Sequence, residues 1–188
     1  MIEIIRSLNE LIRVDIIIGF GFYSIVFFIF WIFSDKKELL NSFDNTAVRF
    51  TIFSGIVYGV LWLTRMILSY YQIDNEMDKI AFCQRLTGPY WFGYWLQPIF
   101  WFLLIQLLWI KILKKSLIFR IILSTLFLMS FERIIIIITS IHSDYLPSSN
   151  SLFLSFGEIL FGLTIKTIVF ILIVSVIHFG INKIKKSY

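Results

Sequence analysis

The sequence has little of what a soluble catalytic domain uses. It carries one cysteine, three prolines and two histidines in 188 residues, and only 15% of its residues are charged. The lone Cys83 excludes an internal disulfide and a cysteine-ligated cluster or zinc site. Sparse charge, with 59% hydrophobic and 19% aromatic residues and a mean hydropathy of +0.86, excludes an ordinary soluble globule, a disordered tail and a disulfide scaffold. There is no glycine-rich phosphate loop, no co-located Ser/His/Asp set and no water-facing carboxylate pair. No autonomous soluble-type active site is therefore expected.

What is present is apolar length. Uncharged runs reach 18 residues at 16–33 and 25 at 86–110, and about 18 apolar residues suffice for a membrane-spanning helix. The expectation is an all-α integral membrane protein with five spans, at residues 16–33, 50–71, 89–110, 121–141 and 159–181. They make up a single transmembrane domain over residues 14–188. The first run ends in Ser34-Asp35-Lys36-Lys37 rather than at a small-residue cleavage site, so it is read as a retained helix. Ahead of it, Ile4, Ile5, Leu8 and Ile12 recur at helical spacing among Glu3, Arg6, Glu10 and Arg13. Residues 1–13 are read either as an amphipathic interfacial helix or as an extension of the first span.

Ten Lys and Arg outside the spans fall on one side (Lys36, Lys37, Arg49, Lys111, Lys114, Lys115, Arg120, Lys183, Lys185, Lys186) against four (Arg6, Arg13, Lys79, Arg85) on the other. By the positive-inside rule this places the C-terminus in the cytoplasm and the N-terminus outside. The same topology accounts for the net charge of +5, so no nucleic-acid partner is expected. Tyr70, Tyr71, Tyr90, Trp91, Tyr94 and Trp95 then form an outer aromatic belt, with Trp31 and Trp109 at the inner surface. Gly55 and Gly59 form a GxxxG pair suited to close helix approach. Pro98 is expected to kink the third span, freeing a carbonyl for Gln97, Gln106 or a neighbour.

Ionisable residues inside the spans each cost about 2.5–3.5 kcal/mol at mid-bilayer unless paired or hydrated. They are Arg65, Glu132, Arg133 and Lys166, placed at one depth in the outer half by their spacing from Asp74, Asp144 and Glu158. Glu132, the single carboxylate, is the expected hub of a polar network joining spans two, four and five. A proton or quinone-headgroup role and outward snorkelling of Arg65 and Lys166 are the alternatives. His142 and His178 fall near opposite membrane surfaces, so neither a haem pair nor a metal site is expected; hydrogen-bonding interfacial histidines are.

From about residue 43 to 182 the order of features resembles the C-terminal half of the NrfD-like, polysulfide-reductase-type membrane subunits, in particular the alternative complex III branch. The residues that carry the likeness are Asp44-Asn45, the run Gly88-Pro89-Tyr90-Trp91 through Leu96, and Gln106-Leu107-Leu108-Trp109. To these is added Phe131-Glu132-Arg133-Ile134, continuing through Ser140-Ile141-His142-Ser143-Asp144-Tyr145-Leu146-Pro147-Ser148-Ser149. The resemblance implies a polytopic subunit with no cofactor of its own, beside iron–sulfur and cytochrome subunits that hold the redox centres, offering a quinol pocket and a proton route. It implies a four-helix bundle plus an additional helix, the second of the family's two bundles, whereas the family's quinol pocket is generally placed in the first. Glu132, Arg133, His142, Asp144 and Glu158 match by position and imply an outward-facing polar network rather than catalysis. Thr64-Arg65, where relatives tend to carry an acid, and Lys166 depart from the pattern.

The resulting expectation is a non-catalytic accessory subunit of a quinol-linked electron-transport complex in a bacterial inner membrane. Its partners would be other membrane subunits, an external subunit on residues 142–157, lipid and quinone. The alternative is a half-module reused as a scaffold in another envelope machine, self-associating through Gly55 and Gly59.

Overall fold

A computed structural model describes residues 2–89, 91–128 and 156–187. The described residues are helical almost throughout. Helix α1 (Ile2–Leu11) passes through a π-turn (Ile12–Ile17) into α2 (Ile18–Phe33) without a loop, so the N-terminal segment continues the first span. α3 (Lys37–Tyr71) and α4 (Glu76–Thr87) follow, then α5 (Trp91–Gln106), which tightens into a 3-10 turn at Leu107–Trp109. A short α6 (Lys111–Lys115) leads to α7 (Leu117–Leu128), and α8 (Phe156–Ser187) closes the described chain.

Among the described residues, four stretches are long and apolar enough to cross a membrane: Ile2–Phe33, Lys37–Tyr71, Trp91–Trp109 and Leu160–Ile184, with a shorter apolar helix at Leu117–Phe127; the expected span at 121–141 lies partly outside them. The breaks between them have local causes. Ser34 Oγ accepts the Lys36 N–H at 3.2 Å where α2 stops. Asn75 caps α4, its Oδ1 accepting the Met77 N–H at 3.1 Å, as short polar side chains do at helix starts. Ser116 Oγ accepts the Phe119 N–H at the start of α7.

Helix α3 begins thirteen residues before the second apolar span. The extension stays helical because one face remains core: Leu40, Phe43, Ala47, Val48, Thr51, Ile52 and Gly55 all turn inward at the 3–4 spacing of a single helix face. Pro98 lies within α5. Gln106 is not the group that serves the carbonyl freed there. Its Nε2 donates to the Ile52 carbonyl at 3.5 Å and its Oε1 accepts from Trp109 Nε1 at 3.1 Å.

Close contacts fix the helix directions. Gly21 faces Ser124 while Phe27 and Phe28 face Arg120, so α2 and α7 run antiparallel. Gly19 faces the backbone of Lys166, and Phe20 and Tyr23 pack on Phe170, so α2 and α8 run parallel. α3 lies antiparallel to α5, with Gly55 on Ile105, Gly59 on Phe102 and Trp62 on Trp95. α3 is also antiparallel to α8, through Thr46 on His178 and Phe50 on Phe170. Lipid tails are as apolar as leucine, so such helices associate by close packing and interhelical hydrogen bonds rather than by hydrophobic exclusion. The small buried residues Gly19, Gly21, Ser24, Ala47, Ser54, Gly55 and Ser124 provide that closeness around a core of Ile17, Phe20, Phe27, Phe127 and Phe170.

Candidate functional site

The most organised polar cluster lies at the end of the bundle where α2 stops and α3 and α7 begin. Arg120, 1% exposed, reaches from the first turn of α7 to Asp44 of α3, which is 14% exposed. Its Nη1 donates to both carboxylate oxygens, at 2.8 and 2.9 Å. Its Nε donates to Ser24 Oγ at 3.2 Å, and that hydroxyl donates to the Phe20 carbonyl at 2.9 Å. Tyr23 Oη donates to Asp44 Oδ1 at 3.3 Å. The guanidinium sits 5.1–5.4 Å from the ring centres of Phe20, Phe27 and Phe28, a cation–π box of the kind an arginine fills better than a lysine. Arg120 Nη2 is buried and has no hydrogen-bond partner among the described residues.

One ion pair thus ties three helices together. Each contributes residues at the same periodicity: Phe20, Tyr23, Ser24 and Phe27 on α2; Asp44, Ala47, Val48 and Thr51 on α3; Arg120, Leu123, Ser124 and Phe127 on α7. Ser124 adds a second link, its Oγ lying 2.6 Å from the carbonyls of both Gly21 and Arg120. Beside the pair, Lys114 Nζ donates to Asn45 Oδ1 at 2.9 Å. A charge-neutral, hydrogen-bonded pair of this kind can fix helix packing. It offers neither a nucleophile nor an open carboxylate.

A second polar group sits at the same end, between α3 and α8. His178 is held by Thr46, 2.9 Å from its Nδ1, and by Asn182, 3.0 Å from its Nε2. Thr46 Oγ1 also donates to the Ser42 carbonyl at 3.2 Å. Donors and acceptors therefore balance for a neutral ring protonated on Nδ1, with the Asn182 amide donating to Nε2. Among the described residues no group of three or more His, Cys, Asp or Glu could hold a metal ion.

The sequence had placed the polar network elsewhere. Glu132, Arg133, His142 and Asp144 lie outside the described residues. Arg65 on α3 and Lys166 on α8 are both half-buried, but they do not share a depth. Phe50 and Phe170 meet across the two antiparallel helices. Lys166 is four residues from Phe170 and Arg65 fifteen from Phe50, which separates them by about 16 Å along the bundle at about 1.5 Å per residue. Arg65 instead stands within electrostatic reach of Tyr58 and Tyr94, with Glu10 and Arg13 also close to Tyr58. Glu158 is exposed in the first turn of α8.

Gly55 and Gly59 do permit a close approach, and the approach is internal. A Cβ on Gly55 would stand 2.6 Å from Ile105 Cγ2, and one on Gly59 3.0 Å from the Phe102 ring. α5 of the same chain already occupies the face that self-association would need. Arg120, counted with the loop cations in the topology argument, is a buried residue of α7. The signal that singles it out is its place at the head of the Arg120, Leu123, Ser124, Phe127 stripe, a lone charge on a face that is otherwise core.

Comparison of the chain with protein-family models, with curated proteins and with solved structures finds no match in any of the three.

Proposed function

We propose that this chain is an accessory, non-catalytic integral membrane subunit that does its work by packing against other subunits. The observation that carries this reading is the Arg120–Asp44 cluster: the best-organised charges in the described bundle neutralise each other and bind three helices together. Charges that neutralise each other and hold three helices together build a rigid membrane scaffold. Broad apolar faces, including Leu103 on α5 and Ile168, Leu172 and Val176 on α8, are open to lipid or to partner helices.

Within that reading the specific assembly is an NrfD-like, quinol-linked electron-transport complex of a bacterial inner membrane, whose redox centres belong to partner subunits. Support comes from the sequence runs at 131–149 and 88–96 and from the Asp44-Asn45 pair, both members of which are engaged by cations, Arg120 and Lys114. The C-terminus is assigned to the cytoplasm because the basic residues of α6, α7 and the α8 tail gather at one end.

The test is purification of the C-terminally tagged chain from native membranes in mild detergent, read by intact-complex mass spectrometry and visible absorption. Companion subunits bearing iron–sulfur or haem chromophores are expected. A colourless assembly with non-redox partners would contradict the respiratory assignment, and a chain that emerges alone would contradict the accessory role itself.

A further inference from the structure

A cavity of about 620 Å³ opens beside the buried pair, between α2, the start of α3 and the α6–α7 corner. Its two sides differ in chemistry. One is basic: Lys114, Lys115 and Arg120 line it. The single carboxylate there, Asp44, is already engaged by Arg120 Nη1. Lys114 gives one N–H to Asn45 and keeps two, and Lys115 is exposed. The other side is the end of α2, where Phe28, Trp31 and Ile32 line the same cavity and Ile32 is 61% exposed on the apolar surface of the bundle.

We propose that this cavity binds an anionic phospholipid, its phosphate held by Lys114 and Lys115 within reach of Arg120 and its acyl chains laid along α2. Three cations against one carboxylate leave an excess of positive charge that a phosphate diester offsets. Phosphate oxygens are strong acceptors for arginine and lysine N–H groups. Asp44 repels an anion from its own side, which places the phosphate toward Lys115. The aromatic and aliphatic wall gives a free phosphate ion nothing to bind, whereas it suits a lipid tail. Basic pockets between transmembrane helices are a recurring means of holding anionic headgroups. This assignment does not depend on which assembly the chain joins.

The test uses the full chain in detergent, with native mass spectrometry and thermal unfolding as parallel readouts. The added probes are phosphatidylglycerol, phosphatidylcholine or inorganic phosphate. Phosphatidylglycerol is expected to bind at least tenfold more tightly than phosphatidylcholine and to raise the unfolding midpoint, with inorganic phosphate doing neither. Lys115→Gln, at an exposed position outside the packing, should weaken the preference, and Lys114→Gln/Lys115→Gln should abolish it. Equal binding of the two lipids, or a preference that survives the double substitution, would overturn the proposal. Stabilisation by inorganic phosphate equal to that by phosphatidylglycerol would make this a free-anion site and overturn the lipid assignment.

Discussion

Arg120 shows how a single side chain combines roles that no other residue type fills. Its planar head donates to Asp44 through Nη1 and to Ser24 through Nε while its faces lie over phenylalanine rings. A lysine would keep the charge but has one nitrogen, no planar face for the rings and a different reach. Arg120→Lys should therefore lower stability by about 1.5–3 kcal/mol, the usual worth of hydrogen bonds to a charged group. Thermal or denaturant unfolding of the purified protein measures it. Stability equal to the parent would mean that charge alone matters and that the hydrogen-bond geometry does not.

At the scale of elements, the two glycine sites on either side of the core differ in what they would tolerate. A Cβ on Gly19 would lie 2.9 Å from the Lys166 carbonyl oxygen and 3.1 Å from Phe170 Cβ. Backbone cannot swing aside as a side-chain tip can, so Gly19→Ala must push α2 and α8 apart. The expected cost is about 1–3 kcal/mol. Gly162→Ala on α8 meets nothing within 4 Å and should be neutral or stabilising, since alanine is the better helix former by about 1 kcal/mol. Unfolding of the two variants side by side checks this, and equal effects would contradict the parallel packing of α2 on α8.

The same elements show what the sequence disclosed and what it did not. Hydropathy located the long apolar helices because lipid-facing residues dominate their averages. It missed the thirteen-residue start of α3, where only the inward stripe of Leu40, Phe43, Ala47 and Val48 is apolar and the rest is polar. Asp44 and Arg120 lie just outside the long apolar runs, though each belongs to a core stripe at helical spacing. Arg65 and Lys166 were found because they interrupt long apolar runs. Their depths were misjudged because spacing from a loop residue fixes height only when every helix ends at the same level. His178 was identified as a hydrogen-bonding residue, but its partners Thr46 and Asn182 depend on the antiparallel register of α3 and α8, which no single segment contains.

For the whole molecule, the alternating helix directions bring distant charges to one end. Lys37, Asp44, Lys114, Arg120 and His178 come from three helices and the short α6, yet they share a single polar layer with the cavity beside Arg120. The opposite end is built differently: Trp62, Tyr94 and Trp95 cluster there, and Trp95 Nε1 donates to the Leu86 carbonyl at 3.1 Å, tying α5 to α4. Long apolar helices with charged and aromatic side chains gathered at their ends are the build of a multi-pass membrane protein.

Arg120 and Asp44 act as one unit that joins α2, α3 and α7. The most direct measurement is a double-mutant cycle of Asp44→Asn, Arg120→Met and the pair of substitutions together, read as unfolding free energy of the purified chain. Asp44→Asn should cost about 3–5 kcal/mol, because it leaves a buried guanidinium uncompensated. Arg120→Met should cost a similar amount by stranding the carboxylate. The double variant should lose clearly less than the two single losses combined, since it leaves neither charge stranded. Strictly additive losses, or single variants as stable as the parent, would contradict the claim that this pair holds the bundle together.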